Sequence, residues 1–148
     1  MRSYSPLEEM NVEYLTNKGI TFCVICFTPN ILEHGIFDAT KPMKELLKNS
    51  GIHDFSDQKP GEKKFVSTHI LTFKGTIDAQ SSVYRAGTRG DKRMWLGSEI
   101  YSVVDDDDIC AIFAKNQELY VINISKVDVE LCCTSGSLNP IKQAILSE

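Results

Sequence analysis

From residue 65 to residue 124 the chain is a run of short apolar segments broken by polar and glycine-containing stretches. That pattern constrains the fold more than any other feature of the sequence. FVSTHILTF alternates as a strand should, and residues 79–85, 94–96 and 100–104 supply three more predicted strands. Residues 109–113 and 119–124 flank Lys115-Asn116-Gln117, a predicted hairpin turn, and residues 127–131 read as a further strand. Ahead of this region lies ITFCVICF, a strand over residues 20–27. So many short strands with so few helices point to a mostly β (α+β) fold. The form expected is an antiparallel barrel, closed or half-closed, such as an open β-barrel of seven or so strands with short helices at its ends.

The helices announce themselves by their starts. Ser5-Pro6-Leu7-Glu8 has a serine cap, a proline in the first helical position and a capping-box glutamate. Leu7, Met10, Tyr14 and Leu15 then share one helical face. KPMKELLK and, after Asn139-Pro140, IKQAIL read as two further short helices, whereas TPNILEHG and SDQKPGEKK read as loops. No repeat or linker divides the 148 residues. The expected organisation is one domain: a helix in 1–19, the barrel in 20–131 and a tail in 132–148.

SSVYRAGTRGDKRMWLG, residues 81–97, holds the densest positive charge. Arg85, Arg89, Lys92 and Arg93 crowd around one acid, Asp91, in a chain whose net charge is −4. Any contact with a polyanion must therefore be local. Gly87 and Gly90 allow the connection to curl, since both tolerate positive φ. Crowded cations repel one another unless an anion is near. The plain alternative is a solvated loop whose cations pair with Asp105 to Asp108. The chemistry fits DNA: an arginine fork bonds O6 and N7 of guanine, and a carboxylate accepts from the cytosine amino group. A loop that only gripped phosphate would gain nothing from a central acid.

Other constellations carry less. Four consecutive aspartates in an extended chain cannot converge on one ion, so residues 105–108 read as a solvated turn. Glu62-Lys63-Lys64 has the E-x-K form that nucleases use with an upstream aspartate, here Asp54 or Asp57, around magnesium. It sits beside Pro60-Gly61 without an intervening strand, and so reads as loop. His53 and His69 have no second metal ligand at useful spacing. Cys23 and Cys26 point to opposite faces of a strand, and Cys132-Cys133 has no matching pair, so all five cysteines read as reduced, packed thiols. MRSYSPLEEM has acids where a secretory leader has an apolar stretch, and no run reaches the roughly 18 apolar residues of a membrane helix. The expected location is the cytoplasm.

YRAGTRGDKRMWLG, followed by a strand, an acidic turn and DICAIFAKNQELYVINIS, resembles the DNA-recognition domain of restriction endonucleases of the EcoRII, BfiI and NgoAVII kind. Those domains share a pseudobarrel with plant transcription-factor domains of the B-three type. Thr88-Arg89-Gly90-Asp91-Lys92-Arg93, with Trp95 and Gly97 behind, matches the family's T-R-x-acid-K-R segment, with aspartate in place of glutamate. The resemblance is specific over residues 79–125, topological over 20–50, and absent for the first helix and the tail.

It implies two arms straddling the major groove of double-stranded DNA. The C-terminal arm would present Arg85, Thr88, Arg89, Asp91, Lys92 and Arg93. The N-terminal arm would present Thr28, Asn30, Glu33 and His34. Cleavage would belong to a separate nuclease domain or subunit, with Mg2+ required only there and no cofactor in this chain. The oligomeric state stays open. Two other readings stand beside it: a small magnesium nuclease using Asp54 or Asp57 with Glu62 and Lys64, and a protein-interaction domain whose basic bend docks an acidic partner.

Overall fold

A computed structural model describes residues 1–87 and 90–147. Helix α1 (Pro6–Asn17) starts as its sequence dictates: the Ser5 hydroxyl accepts from the Glu8 N–H at 3.2 Å, and the Glu8 carboxylate accepts from the Ser5 N–H at 2.7 Å. The same grammar opens α2 (Pro29–His34) at Thr28, α3 (Lys41–Asn49) at Thr40 and α5 (Pro140–Leu146) at Asn139. Asp128 caps α4 (Val129–Thr134).

Seven strands, β1 (Phe22–Cys26), β2 (Phe37–Asp38), β3 (Lys63–Leu71), β4 (Thr76–Arg85), β5 (Lys92–Trp95), β6 (Ile109–Lys115) and β7 (Glu118–Asn123), form one sheet. Their order is β1-β6-β7-β3-β4-β5-β2, and every pair is antiparallel except β3 with β7. The sheet curls into a half-barrel accompanied by short helices, so the fold is α+β and rich in strand. β1 and β2 are its two edges, and α2 is the segment that joins them. The β6–β7 turn puts Asn116 and Gln117 at φ 52° and 63°, the paired positive values that a two-residue hairpin uses.

The two halves of the sheet are covered differently. Along β6, Cys110 and Ile112 enter an inner cluster with Phe27, Met43, Leu47 and Met94. Ile109, Ala111 and Phe113 alternate into an outer cluster with Leu15, Val129 and Ile141. Helices α1, α4 and α5 supply that outer layer and α3 contributes to the inner one, so a strand buried on both faces reads as an unbroken apolar run. On β3, β4 and β5 the outward residues Lys63, Phe65, Ser67, Asp78 and Gln80 are exposed and Tyr84, Arg93 and Trp95 half-buried, and this face lies open.

Several boundaries differ from the sequence expectation. Residues 29–34 form a helix rather than a loop, because Thr28-Pro29 is a cap and Ile31 and Leu32 pack against the inner cluster. Residues 98–102 form a 3₁₀ turn that buries Ile100, after Gly97 breaks the strand at φ 97°. Residues 127–131 lead into α4 instead of making a strand. Strand β3 begins at Lys63, so two residues of the E-x-K tripeptide are strand. In α1 the buried face is Glu8, Asn11 and Leu15, while Met10 is 48 % exposed. Asn11 explains the polar face: its amide donates to Ile124 O at 2.9 Å and Val127 O at 2.5 Å, and accepts from Val129 N–H at 3.0 Å.

All five cysteines are free. Cys23 faces the inner cluster and Cys26 the outer, and burial pushes the Cys23 thiol up to about 12, which suits packing rather than reactivity. Among the described residues, no helix is long and apolar enough to cross a membrane.

Candidate nucleic-acid interface

The topology brings the two predicted arms to one edge of the half-barrel. The connection before β2 carries α2, the connection before β5 carries the basic bend, and β2 pairs with β5. The pairing sets Phe37 opposite Met94 and Asp38 opposite Arg93. Between the arms lies a cleft of about 630 Å³, lined by Thr28, Asn30, Ile31 and His34 from α2 and its cap, by Ile36, Phe37 and Asp38, and by Arg93.

Within α2 the residues divide by face. Thr28 is a cap that also lines the cleft: its hydroxyl accepts from the Ile31 N–H at 3.3 Å. Asn30 and His34 line the cleft, whereas Glu33 is exposed but contributes nothing to the wall. Gly35 ends the helix at φ 75°, where an added Cβ would lie 2.6 Å from the Tyr101 hydroxyl and 3.5 Å from the Trp95 ring. Glycine thus allows α2 to close down on β5.

The basic bend is built from the inside. Arg85 is expected among the residues that the C-terminal arm presents, but its guanidinium turns back, donating to Gln58 O at 2.7 Å and Gly90 O at 3.2 Å. Its backbone extends the ladder: Arg85 N–H donates to Glu62 O at 3.2 Å, and Gly61 N–H donates to Arg85 O at 2.8 Å. The bend closes through Ala86 N–H to Asp91 O and Gly90 N–H to Ala86 O, both 2.8 Å. Gly90 takes φ 70°, and an added Cβ there would meet Arg85 Nη2 at 3.2 Å; Gly87 does not turn positive. Thr88 and Arg89 lie outside the described residues. Lys92 is half-buried and makes no side-chain bond within the described residues.

Arg93 stands at the cleft between two carboxylates, Asp91 at 3.2 Å on its own strand end and Asp38 at 3.7 Å across the ladder. Neither pair is bidentate, and Asp38 is 86 % exposed, so the hold is weak. The cations at residues 85, 92 and 93 do not reach the aspartate-rich turn. Lys126 pairs there with Asp105, and with Asp108 at 3.3 Å.

Gln58 is the residue that the sequence reading missed. It is 6 % exposed inside a stretch composed like a solvated loop. Its side-chain amide donates to Glu62 O at 3.0 Å and Val83 O at 3.1 Å while its backbone carbonyl accepts from Arg85, which fixes the base of the bend. Asp38 was also missed, and no local signal marks it.

The alternative nuclease residues do converge. Asp54, Asp57, Glu62 and Lys64 line a hollow of about 410 Å³ beside His53. Three of these four side chains are already engaged, however. Asp54 accepts from Ser56 N–H and hydroxyl at 2.9 and 2.7 Å, Glu62 accepts from Lys59 N–H at 2.9 Å, and Lys64 donates to Ile52 O. Among the described residues, no three His, Cys, Asp or Glu side chains are placed to hold a metal ion.

His69 sits between Asp78 at 2.7 Å and Glu118 at 3.0 Å. Partial burial works against its imidazolium, but the bonds to Glu118 and Asp78 outweigh it and raise the pKa above 6.5. The charged pair therefore stabilises the fold fully below pH 6.5 and loses that effect as pH rises through the raised value. Urea melts across pH 5.5 to 9 should show the wild type losing more stability than His69→Gln over this window. Parallel pH profiles for the two would refute the pairing.

No protein family, curated protein or solved structure matches the chain.

Proposed function

We propose that this chain is a sequence-specific binding module for double-stranded DNA, with α2 and the 85–93 bend entering the major groove as two arms. On this reading it is the target-recognition domain of a bacterial restriction system of the EcoRII, BfiI and NgoAVII kind, acting in the cytoplasm. A separate nuclease domain or subunit would cut, and magnesium would be needed only there. The observation that carries the reading is the shared cleft, where Asn30 and His34 of one arm face Arg93 of the other.

The geometry favours a revised set of roles within the proposal. Arg93, Asn30 and His34 read base edges, and Lys92 holds phosphate. Asp91 and Asp38 keep the Arg93 fork at the mouth until guanine O6 and N7 replace them. Arg85 and Thr28 become supports, and Glu33 lies on the outer side of its arm. Arg89 keeps its base-contact role, and Thr88 its place among the DNA-binding residues of the arm, as the family resemblance implies. With a net charge of −4, affinity depends on this local cluster rather than on the field of the whole molecule.

Selection from randomised duplexes tests the proposal directly. An enriched sequence is the expected result, bound with no cleavage when magnesium is added to the isolated chain. A selection that converges on nothing would overturn it in favour of an acidic protein partner. Magnesium-dependent cutting lost in Glu62→Ala would instead favour the hollow beside His53.

A further inference from the structure

We propose that the open face of β3, β4 and β5 carries a pocket for one unstacked nucleobase, floored by Ser82 and walled by Tyr84 and Trp95. The inference rests on the DNA-binding reading and names a second contact beside the arms.

Strand register makes the pocket. Residues two apart on a strand share a face, so two rows run across the open side: Phe65, Ser82, Trp95 and, next to it, Lys63, Tyr84, Arg93. Serine stands between two large aromatic residues, and the missing volume is a hollow of about 290 Å³ lined by His34, Ile36, Lys63, Ser82, Tyr84 and Trp95. This is at the small end of the range for ligand sites and suits a planar group the size of a base.

The floor is polar and unspent. Ser82 is 2 % exposed, yet its hydroxyl makes no hydrogen bond to any described residue. Its neighbour Ser81, on the opposite face, is satisfied by Thr68 at 2.6 Å. No fully enclosed side-chain nitrogen or oxygen among the described residues lacks a partner, so the Ser82 hydroxyl must open into the hollow. Buried hydroxyls are normally paired, and the edge of a base supplies both donors and acceptors.

The surroundings fit a nucleotide better than an apolar ligand. Lys63 Nζ lies 5.4 Å from the centre of the Tyr84 ring, placing a cation beside the hollow where a phosphate would follow a stacked base. His34 and Ile36 line both this hollow and the cleft between the arms, so the two sites are continuous. A base leaving a duplex held by the arms would meet aromatic walls without crossing the protein. The same chemistry would accept a base from a single strand.

Trp95 is the sole tryptophan, so its fluorescence reports stacking directly. The full chain is titrated with oligo(dT), with a fully paired duplex of mixed sequence, and with that duplex carrying one unpaired thymine. The unpaired base, in at least one of the two substrates that offer it, should quench Trp95 and bind about tenfold tighter than the paired duplex, the worth of one stacked base. Tyr84→Ala, which leaves the inner core intact, and Ser82→Leu, which fills the floor, should each remove that advantage.

A gain confined to the unpaired-thymine duplex assigns the pocket to an extrahelical base, and an equal gain with oligo(dT) to single strands. Absence of quenching and of any gain with both refutes the pocket, even where duplex selection has returned an enriched sequence. Quenching by oligo(dT) with no sequence enriched would instead remove the arms and keep the pocket.

Discussion

Arg93→Ala is expected to lower affinity for a selected duplex roughly tenfold to a hundredfold, the worth of one good bidentate base contact. The same change should relax the choice of base at one position. Two effects act in the same direction. The fork that reads guanine is removed, and Asp91 and Asp38, which flank it at 3.2 and 3.7 Å, lose their counter-charge at the mouth of the cleft. Lys92→Ala should behave differently, weakening all sequences alike and flattening the salt dependence by about one phosphate contact. Arg85→Ala should lower affinity without changing the selected sequence, because that side chain is spent on Gln58 O and Gly90 O. Competition binding against point-substituted duplexes at two salt concentrations separates the three. If Arg93→Ala binds every duplex as the wild type does, the cleft is not the reading site.

Arg85 and Arg93 show where reading the sequence stops. In the sequence both belong to one basic cluster and look equivalent. Strand β4 ends at Arg85 beside a carbonyl contributed by Gln58, whose burial depends on β3 and β4 closing over it. No local pattern encodes that partner. His69 is a similar case, since its two carboxylates come from β4 and β7. Strand β2 is only two residues long and is held by its partner β5, so propensity could not reveal it.

What was legible had local causes. The caps at Ser5 and Asn139 specify helix starts through bonds spanning three residues. The β6–β7 hairpin follows from two apolar runs and a polar turn. Residues 100–104 misled because a short apolar pattern serves a strand and a 3₁₀ turn alike; the turn observed at Ser98–Ser102 follows Gly97, whose φ of 97° breaks the strand ahead of it.

Glu8→Ala is expected to be the most damaging single change for stability. The carboxylate is 1 % exposed and serves four partners: both terminal nitrogens of Arg2, the Ser5 N–H that completes the helix cap, and the Ser125 hydroxyl. Loss of the capping-box bond to the Ser5 N–H costs about 1 kcal/mol and loss of a charged hydrogen bond about 1.5–3 kcal/mol, together lowering the melting temperature by roughly 10 °C. The Arg2 guanidinium, with the Ser125 and Ser5 bonds, holds the Glu8 carboxyl down at about 2 against its ordinary 4.5. A depressed carboxylate stabilises the fold fully above pH 4.5, and the effect fades as pH falls towards 2. Arg2→Ala removes the largest cause of that depression, so its acid unfolding should begin at higher pH than in the wild type. Glu8→Ala should lose this part of the acid dependence altogether. Thermal melts at pH 7 and at pH 3 measure both effects, because the gap between wild type and Glu8→Ala must narrow in acid. A gap that stays constant would mean that the side chain acts through its volume alone, and that the charge network tying α1 to the start of β6 contributes nothing.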